Sequence, residues 1–195
     1  DLFRSNGAVV TPDNSSRLYY DGGIAPHLVG YVSALQEDEI STFARMGYLP
    51  NARVGRKGIE LWGESILAGK AGGALYVFDA QGKPIQELGA VPSAEGQSIT
   101  TTLEADFQRE AQKALSVFTG AIVVLERDTG RVLAMVSSPG FNPNAYEFEN
   151  YNYLTLINQI VNNPNSPQFN RATNGQYPMG SVFKIVNIAA ALESK

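Results

Sequence analysis

A serine and a lysine stand three residues apart near the end of the chain, in the stretch YPMGSVFK at residues 177–184. At that spacing Ser181 and Lys184 share one face of a helix, so the lysine amine can approach the serine hydroxyl. A neutral amine can accept the hydroxyl proton and make serine a nucleophile for acyl transfer. The pair therefore predicts an acyl-enzyme site, with Ser181 as the nucleophile and Lys184 as the general base.

The residues around this pair are those of a buried helix. Pro178 and Gly180 resist helix formation, whereas the run that follows Ser181 is apolar over most of its circumference. Burial and the positive end of a helix both disfavour a protonated lysine amine. The backbone N–H of Ser181 can donate to an oxyanion that forms on the attacked carbonyl. Gly180 leaves room for close approach of the substrate.

The Ser-x-x-Lys tetrad alone has a simpler interpretation. Ordinary residue frequencies place about one such tetrad by chance in a chain of this length. In that case Ser181 caps a helix, and Lys184 lays its stem along the surface with its amine in solvent. A lysine in a nearly all-apolar helix start favours the catalytic interpretation, because such an amine must be paired or lose its proton.

The composition excludes several function classes. The 195 residues, 44% of them hydrophobic, suffice for one large or two small domains. The 15 basic and 19 acidic residues are interspersed and give a net charge of −4, so no basic stripe for nucleic acid is present. Without cysteine there is no thiol nucleophile and no thiolate metal site, and the carboxylates show no metal-ligand spacing. We expect no cofactor and no metal.

Local patterns predict helices and a small sheet in the first part of the chain. DEISTFARMG has apolar residues at helical spacing, with Gly47 as a C-terminal cap. GIELWGESILAG predicts a second helix, ended by Gly69. ALYVFDAQGKPIQEL predicts a hairpin with its turn at Gln81 and Gly82. This part is therefore predicted to be α+β.

The residue pattern of the sequence changes near residue 100, so we expect a second domain. TTTLEADFQREAQKALSVF predicts an amphipathic helix, with Thr101 and Glu104 at capping-box spacing. GAIVVLERDTGRVLAMVSSP predicts a hairpin whose strands are apolar enough for burial on both faces. Residues 139–179 predict a long surface segment with a short helix at YLTLINQIV.

Four longer stretches are far more specific than the tetrad. Two are NRATNGQYPMGSVFK at residues 170–184 and GAIVVLERDTGRVLAMVSSPGFNPN at residues 120–144. The others are RLYYDGGIAPHLVGYV and GRKGIELWGESILAGKAGGALYVFDAQGKP, at residues 17–32 and 55–84. Together they resemble the class B penicillin-binding proteins, transpeptidases that cross-link peptidoglycan. The first pair is similar to that family's catalytic domain, and the second pair to its non-catalytic pedestal domain.

The resemblance implies an α+β fold, with a pedestal at residues 1–98 and the first part of a transpeptidase domain at residues 99–195. There an antiparallel sheet would pack with helices, one of them a buried active-site helix. Ser181 would be acylated by the D-Ala-D-Ala end of a stem peptide, Lys184 would take its proton, and β-lactams would trap the same serine. Phe183 favours the elongation type, like penicillin-binding protein 2, over the division type.

The resemblance also implies a cellular setting. The pedestal would dock other cell-wall synthesis proteins, and the protein would face the periplasm behind an N-terminal membrane anchor. Two readings compete with the transpeptidase: a non-catalytic docking module, and a penicillin sensor or β-lactamase. A sensor or β-lactamase should lack the long pedestal, so the pedestal stretches favour the transpeptidase.

The sequence departs from the family pattern at several positions. Met179, Asn142 and Gly63 stand where proline, aspartate and an aromatic residue are common, and none removes a group that the mechanism needs. The family's Ser-x-Asn and Lys-Thr/Ser-Gly motifs do not follow Lys184, and KAG at residues 70–72 lies before the serine. We therefore expect a longer protein whose remaining part completes the site, and expect residues 1–195 alone to be inactive and prone to aggregation.

Other chemistry-bearing residues receive plainer interpretations. His27 is the one histidine and is expected to be structural. GESILAGKA resembles a phosphate-binding loop but has the wrong spacing and no Ser or Thr for magnesium. Tyrosines of the long segment can line a substrate groove or pack the loop, and loop packing is the favoured interpretation; they are Tyr146, Tyr151 and Tyr153.

Overall fold

A computed structural model gives the structure of the chain and describes residues 17–194. The first sixteen residues of the predicted pedestal, and Lys195, lie outside the described residues. Short helices and three separate two-stranded antiparallel sheets make up the described part, so the predicted α+β class is confirmed. Its α-helices are α1 (Pro26–Val29), α2 (Glu37–Arg45), α3 (Gly58–Trp62), α4 (Glu64–Leu67), α5 (Ala105–Leu115), α6 (Tyr153–Val161), α7 (Arg171–Asn174) and α8 (Lys184–Glu193). Its strands are β1 (Val32–Ala34), β2 (Arg53–Gly55), β3 (Gly73–Phe78), β4 (Pro84–Val91), β5 (Gly120–Leu125) and β6 (Val132–Ser138).

Helix α2 forms where the sequence predicts it because both of its ends are capped. At the start, the side chains of Gln36 and Glu39 each bond to the other's backbone N–H, which satisfies two donors without helical partners. At the end, Gly47 takes a φ of +91°, and its N–H donates to the carbonyl of Ala44. The predicted helix and its glycine cap are confirmed.

The second predicted helix is broken into α3 and α4 at Gly63. A Cβ built on Gly63 would lie 2.4 Å from Cδ1 of Ile99, so the Ile99 side chain fills the space where a residue with a side chain would stand. Glycine thus stands at a position where the Ile99 side chain and the Ile59 carbonyl leave no room for a Cβ. Gly69, with a φ of +68°, ends the segment as predicted.

The hairpin β3–β4 turns at Gln81 and Gly82, as predicted, and Gly82 has a φ of +78°. The side chains that the structure describes on these two strands are solvent-exposed. The hairpin joins the rest of the structure at a narrow neck, where Lys70 and Ala94 exchange backbone hydrogen bonds of 2.7 and 2.9 Å. Gly96 lies so close there that an added Cβ would be 2.0 Å from the carbonyl oxygen of Leu67.

Helix α5 packs on the hairpin β5–β6 and forms the core of the second part. The buried side chains are Ala111, Ala134 and Val136, with Leu115, Ile122 and Val124 packed against them. The predicted burial of both strand faces is wrong for the described residues: Val123 and Leu125 of β5 are exposed. Helix α5 covers one face of this sheet, and the other face is covered by the segment around α7 only near Ser137.

The capping box predicted at Thr101 and Glu104 is also wrong. Helix α5 begins at Ala105 with Glu104 as its N-cap, and no side chain caps it. The residues before it pair with β6 instead, because the Thr102 hydroxyl donates to Val132 O and Glu104 N–H donates to Leu133 O. Backbone pairing to a strand has replaced the local cap.

Segments of the predicted pedestal pack directly against the second part of the chain. The rings of Tyr31 and Tyr146 stack with centroids 3.7 Å apart. Arg53 forms an ion pair of 2.7 Å with Glu147. These contacts connect the predicted pedestal to the long segment between β6 and the Ser-x-x-Lys tetrad.

The long segment at residues 139–179 contains the helix predicted at YLTLINQIV, which is α6. It also contains a 3₁₀ turn at Pro143–Tyr146 and the short helix α7. Among residues 17–194, no helix combines the length and the apolar character that a bilayer crossing requires.

Candidate active site

Ser181 and Lys184 lie on one turn of helix. Gly180–Phe183 forms a 3₁₀ turn that runs directly into α8 at Lys184, and the Lys184 backbone N–H donates to the Ser181 carbonyl. In a 3₁₀ turn, side chains three residues apart lie one above the other. The structure therefore places the two side chains on the same face, which is the arrangement that proton transfer from hydroxyl to amine requires.

Gly180 precedes the serine with a φ of +54°, in the left-handed region that glycine adopts at no steric cost. A Cβ built on Gly180 meets no atom within 4 Å. The position is thus restricted by its backbone conformation and not by crowding. Open space beside Gly180 is what the predicted close approach of a substrate needs.

The predicted burial of the active-site helix is not found in the described residues. Ile185, Ile188 and Leu192 are 71%, 62% and 67% exposed. No element between residues 17 and 194 covers this apolar helix, so the burial expected to favour a neutral Lys184 is not supplied by this part of the chain.

The chain that leads to the serine is fixed by hydrogen bonds to β6. The Ser137 hydroxyl donates to the carbonyl of Phe169 at 3.1 Å and accepts from the backbone N–H of Arg171 at 2.9 Å. The Asn170 side chain caps α7 by accepting from the N–H of Ala172. Sequence analysis singled out the Asn-Arg-Ala stretch but missed Ser137, which lies 34 residues from Arg171.

His27 has the structural environment that the sequence analysis expected. Its Nε2 donates to the carbonyl of Pro167 at 2.6 Å, and its ring stands edge-on to Phe141 with centroids 5.3 Å apart. Burial lowers the pKa of His27.

The three tyrosines of the long segment do not converge on Ser181 in any contact of the described structure. Tyr146 is buried against Tyr31, which supports the packing interpretation for this residue. Tyr151 is 99% exposed, and Tyr153 begins α6. Over residues 17–194 no three His, Asp or Glu side chains come together in a way that could hold a metal ion.

Comparison with family models divides the chain into two matches. Residues 4–101 match the penicillin-binding protein dimerisation domain. Residues 120–195 match the penicillin-binding protein transpeptidase domain. The Ser181–Lys184 turn lies within the second match.

Curated relatives resemble the chain over most of its length. It is 34% identical over 185 residues to the peptidoglycan D,D-transpeptidase MrdA of Escherichia coli K12, which covers 91% of this chain and 29% of the relative. It is 33% identical over 182 residues to penicillin-binding protein 3 of Bacillus subtilis, which covers 93% of this chain and 26% of the relative. The chain thus spans less than a third of the length of these relatives.

Solved structures share the fold. The penicillin-binding protein PBP2 of Helicobacter pylori, solved in complex with MreC, aligns with a TM-score of 0.72 at 25% identity, over 88% of this chain and 31% of that one. Pseudomonas aeruginosa PBP2, solved in complex with WCK 5153, aligns with a TM-score of 0.64 at 30% identity, over 87% of this chain and 33% of that one.

Proposed function

Because the chain belongs to the penicillin-binding proteins, we propose that the full-length protein is a peptidoglycan D,D-transpeptidase that works through an acyl-enzyme on Ser181. The observation that carries this proposal is the single helical turn that holds Ser181 and Lys184, within the segment that matches the transpeptidase family. The similarity to MrdA and to PBP2 structures supports the elongation type.

In the proposed reaction, each of these two residues has a distinct role. The Ser181 hydroxyl oxygen attacks the carbonyl carbon of the D-Ala-D-Ala peptide bond while the Lys184 amine takes the hydroxyl proton. The Ser181 backbone N–H donates to the oxyanion, and one such donor typically stabilises the transition state by about 2.7–4 kcal/mol. Breaking the C–N bond releases the terminal D-Ala as an amine, which takes up a proton, and leaves a stem-peptide ester on Ser181.

Transfer of the ester completes the cross-link. The amine of a second stem peptide attacks the ester carbonyl, a new peptide bond forms, and the serine oxygen regains its proton. A β-lactam acylates the same oxygen through opening of its ring, so labelled penicillin reports on Ser181 directly.

The proposed transpeptidase domain begins at residue 99, after a pedestal at residues 1–98.

The proposed role of the pedestal is to dock other cell-wall synthesis proteins outside the cytoplasm, with an N-terminal anchor in the inner membrane. The solved complex of Helicobacter pylori PBP2 with MreC supports such a role. The exposed hairpin β3–β4 offers apolar surface for a partner, including Ile85, Leu88 and Val91.

Peptide mapping after incubation with a labelled penicillin tests the proposal. The full-length protein is expected to carry the label on Ser181, and Ser181→Ala is expected to carry none. Ser194→Ala is the matched control, because it removes a hydroxyl at the end of the same helix and should leave labelling unchanged. A folded full-length protein without label at Ser181 would refute the catalytic proposal and favour a docking module.

A further inference from the structure

The loop at residues 163–170 leads through α7 towards Ser181, and side chains from distant parts of the chain hold it. His27 Nε2 donates to Pro167 O at 2.6 Å, across 140 positions of sequence. The Gln168 side-chain amide donates to the hydroxyl of Tyr146, whose ring stacks on Tyr31. Two residues of the predicted pedestal, His27 directly and Tyr31 through Tyr146, thus fix one loop of the predicted catalytic domain.

His27 is suited to make this contact as a neutral donor. A carbonyl oxygen can only accept, so the proton of the bond lies on Nε2. Burial disfavours the imidazolium and outweighs the opposite effect of the hydrogen bond to Pro167, and the positive charges of Arg171 and Lys57 add to the effect of burial, so the pKa of His27 is lowered. The edge-on contact with Phe141 sets the orientation of the ring. The neutral imidazole, with its proton on Nε2, is therefore the form that makes this hydrogen bond at neutral pH.

The loop that His27 holds is rigidly joined to α7. The Arg171 guanidinium donates to the carbonyls of Asn165 and Ser166 at 2.6 and 3.2 Å. Ser137 binds both Phe169 and Arg171, as described above. Because Arg171 is the first residue of α7, its contacts make the loop and the helix one hydrogen-bonded unit.

Close packing extends from the end of α7 as far as Tyr177. A Cβ built on Gly175 would lie 2.5 Å from Arg171 O and 2.5 Å from Cε2 of Tyr177. The end of α7 and the Tyr177 ring therefore lie against Gly175, five residues before Gly180, where the next turn begins. A displacement of the loop at Pro167 is therefore passed to Gly180 and Ser181 through α7 and the short chain segment at residues 176–179.

We propose that His27 is a positioning residue for acylation of Ser181. By holding Pro167, His27 fixes the loop at residues 163–170 together with α7. The contact thereby sets the position of the backbone that leads from α7 to Ser181. The inference rests on the proposed acyl-enzyme function and extends it, because it makes the rate of acylation depend on a contact between the two predicted domains.

Two substitutions separate the hydrogen bond from the packing of the ring. His27→Phe keeps an aromatic ring beside Phe141 but has no donor for Pro167 O. His27→Gln places an amide N–H near the position of Nε2 and should restore the bond. Tyr48→Phe is the matched control, because it removes a hydrogen bond of 3.0 Å from Tyr48 to Glu64 in the pedestal without touching the loop.

The experiment measures acylation of Ser181 in the full-length protein with a fluorescent penicillin, together with hydrogen exchange of residues 163–174. Losing one hydrogen bond that positions the site should slow acylation about fivefold in His27→Phe and speed exchange in that segment. His27→Gln and Tyr48→Phe should acylate within about twofold of wild type. If His27→Phe is unfolded by circular dichroism, His27→Asn, whose shorter amide does not reach Pro167, replaces it.

The outcomes distinguish this inference from the proposed function. Equal acylation rates in wild type and in the folded variant without the donor would overturn the inference alone. Equal slowing in Tyr48→Phe would overturn it as well, because general destabilisation would then account for the effect. A wild-type protein that takes no label on Ser181 would overturn the proposed function and this inference with it.

Discussion

The buried side chain of Gln108 pairs with both backbone groups of Met135. Its Oε1 accepts from the Met135 N–H at 2.8 Å, and its Nε2 donates to the Met135 carbonyl at 2.9 Å. A side-chain amide of α5 thus makes the two hydrogen bonds that a neighbouring strand would make with β6. This pairing fixes the helix against the strand whose far end carries Ser137, the residue that holds α7.

Replacing Gln108 should break this contact and lower the free energy of unfolding substantially. Gln108→Leu keeps the volume but leaves the N–H and the carbonyl of Met135 buried without partners, so we expect a loss of about 2–4 kcal/mol in the free energy of unfolding. Urea denaturation measures the change. Gln86→Leu, in the exposed strand β4, is the control and should change stability by less than about 0.5 kcal/mol. Equal effects of the two substitutions would contradict the role of the pair.

Two substitutions separate the effect of the left-handed conformation of Gly180 on acylation from the effect of adding a side chain in open space. Gly180→Ala forces a Cβ onto a φ of +54°, which costs about 1–2 kcal/mol in that conformation, so acylation of Ser181 should slow several-fold. Gly89→Ala is the matched control, because its added Cβ also meets no atom within 4 Å and its φ is not in the left-handed region. The two rates of penicillin labelling are compared in the full-length protein. A normal rate for Gly180→Ala would show that this conformation is not needed.

We expect the ion pair of Glu39 and Arg56 to contribute to the free energy of unfolding, and we expect acid to remove this contribution. Hydrogen bonds from Arg56 lower the pKa of Glu39 to about 2, from an ordinary value near 4.5. The unfolded chain therefore binds the proton first, and the stabilising contribution is complete above about pH 4.5 and is lost as the pH falls towards about 2.

Glu39→Gln should flatten that pH dependence. Since the pair is partly exposed, solvent screening limits the difference to about 1 kcal/mol or less. Urea denaturation of wild type and variant between pH 7 and pH 3 measures it. Parallel curves for the two proteins would show that the ion pair adds nothing.

The neutral state of His27 predicts a second pH effect with a different window. Because the folded pKa is lowered, the unfolded histidine, with a pKa of about 6.5, protonates first as the pH falls. The free energy of unfolding should therefore decrease from about pH 6.5 downwards, and it should decrease less in His27→Gln. Denaturation at pH 7.5 and pH 5.5 compares the two. An identical decrease in both proteins would assign the effect to other groups.

The exposed helix α8 predicts the behaviour of residues 1–195 as an isolated protein. Its apolar side chains favour self-association, so sedimentation at increasing concentration should show oligomers. A double substitution to lysine at Ile185 and Ile188, which are both exposed, should reduce them. A monodisperse wild type with cooperative unfolding would contradict the expectation that further protein covers this helix.

Local signals in the sequence predicted the elements whose causes are local. The cap at Gly47 and the turn at Gln81 and Gly82 depend on a few neighbouring residues, and both were predicted correctly. The capping box at Thr101 was predicted wrongly because that segment pairs with β6, some 30 residues away. Tertiary partners of this kind leave no local pattern.

The candidate site divides in the same way. The spacing of Ser181 and Lys184 can be read from the sequence because one turn contains both residues. The contact of His27 with Pro167 spans 140 residues, and a single histidine among apolar neighbours carries no sign of its partner. Burial of α8 was predicted from its apolar surface, but the atoms that would cover it are not among residues 17–194.

The neck of the hairpin β3–β4 has a consequence for how such proteins can diverge. Since the chain leaves and returns through one bridge, at Lys70 and Ala94, pairs of residues can be added to or removed from the two strands without shifting anything on the other side of that bridge. Gly69 and Gly96 admit no side chain at the crossing, so the crossing itself cannot vary in the same way. Length changes in related proteins should therefore concentrate between residues 73 and 91, while the two glycines stay in place.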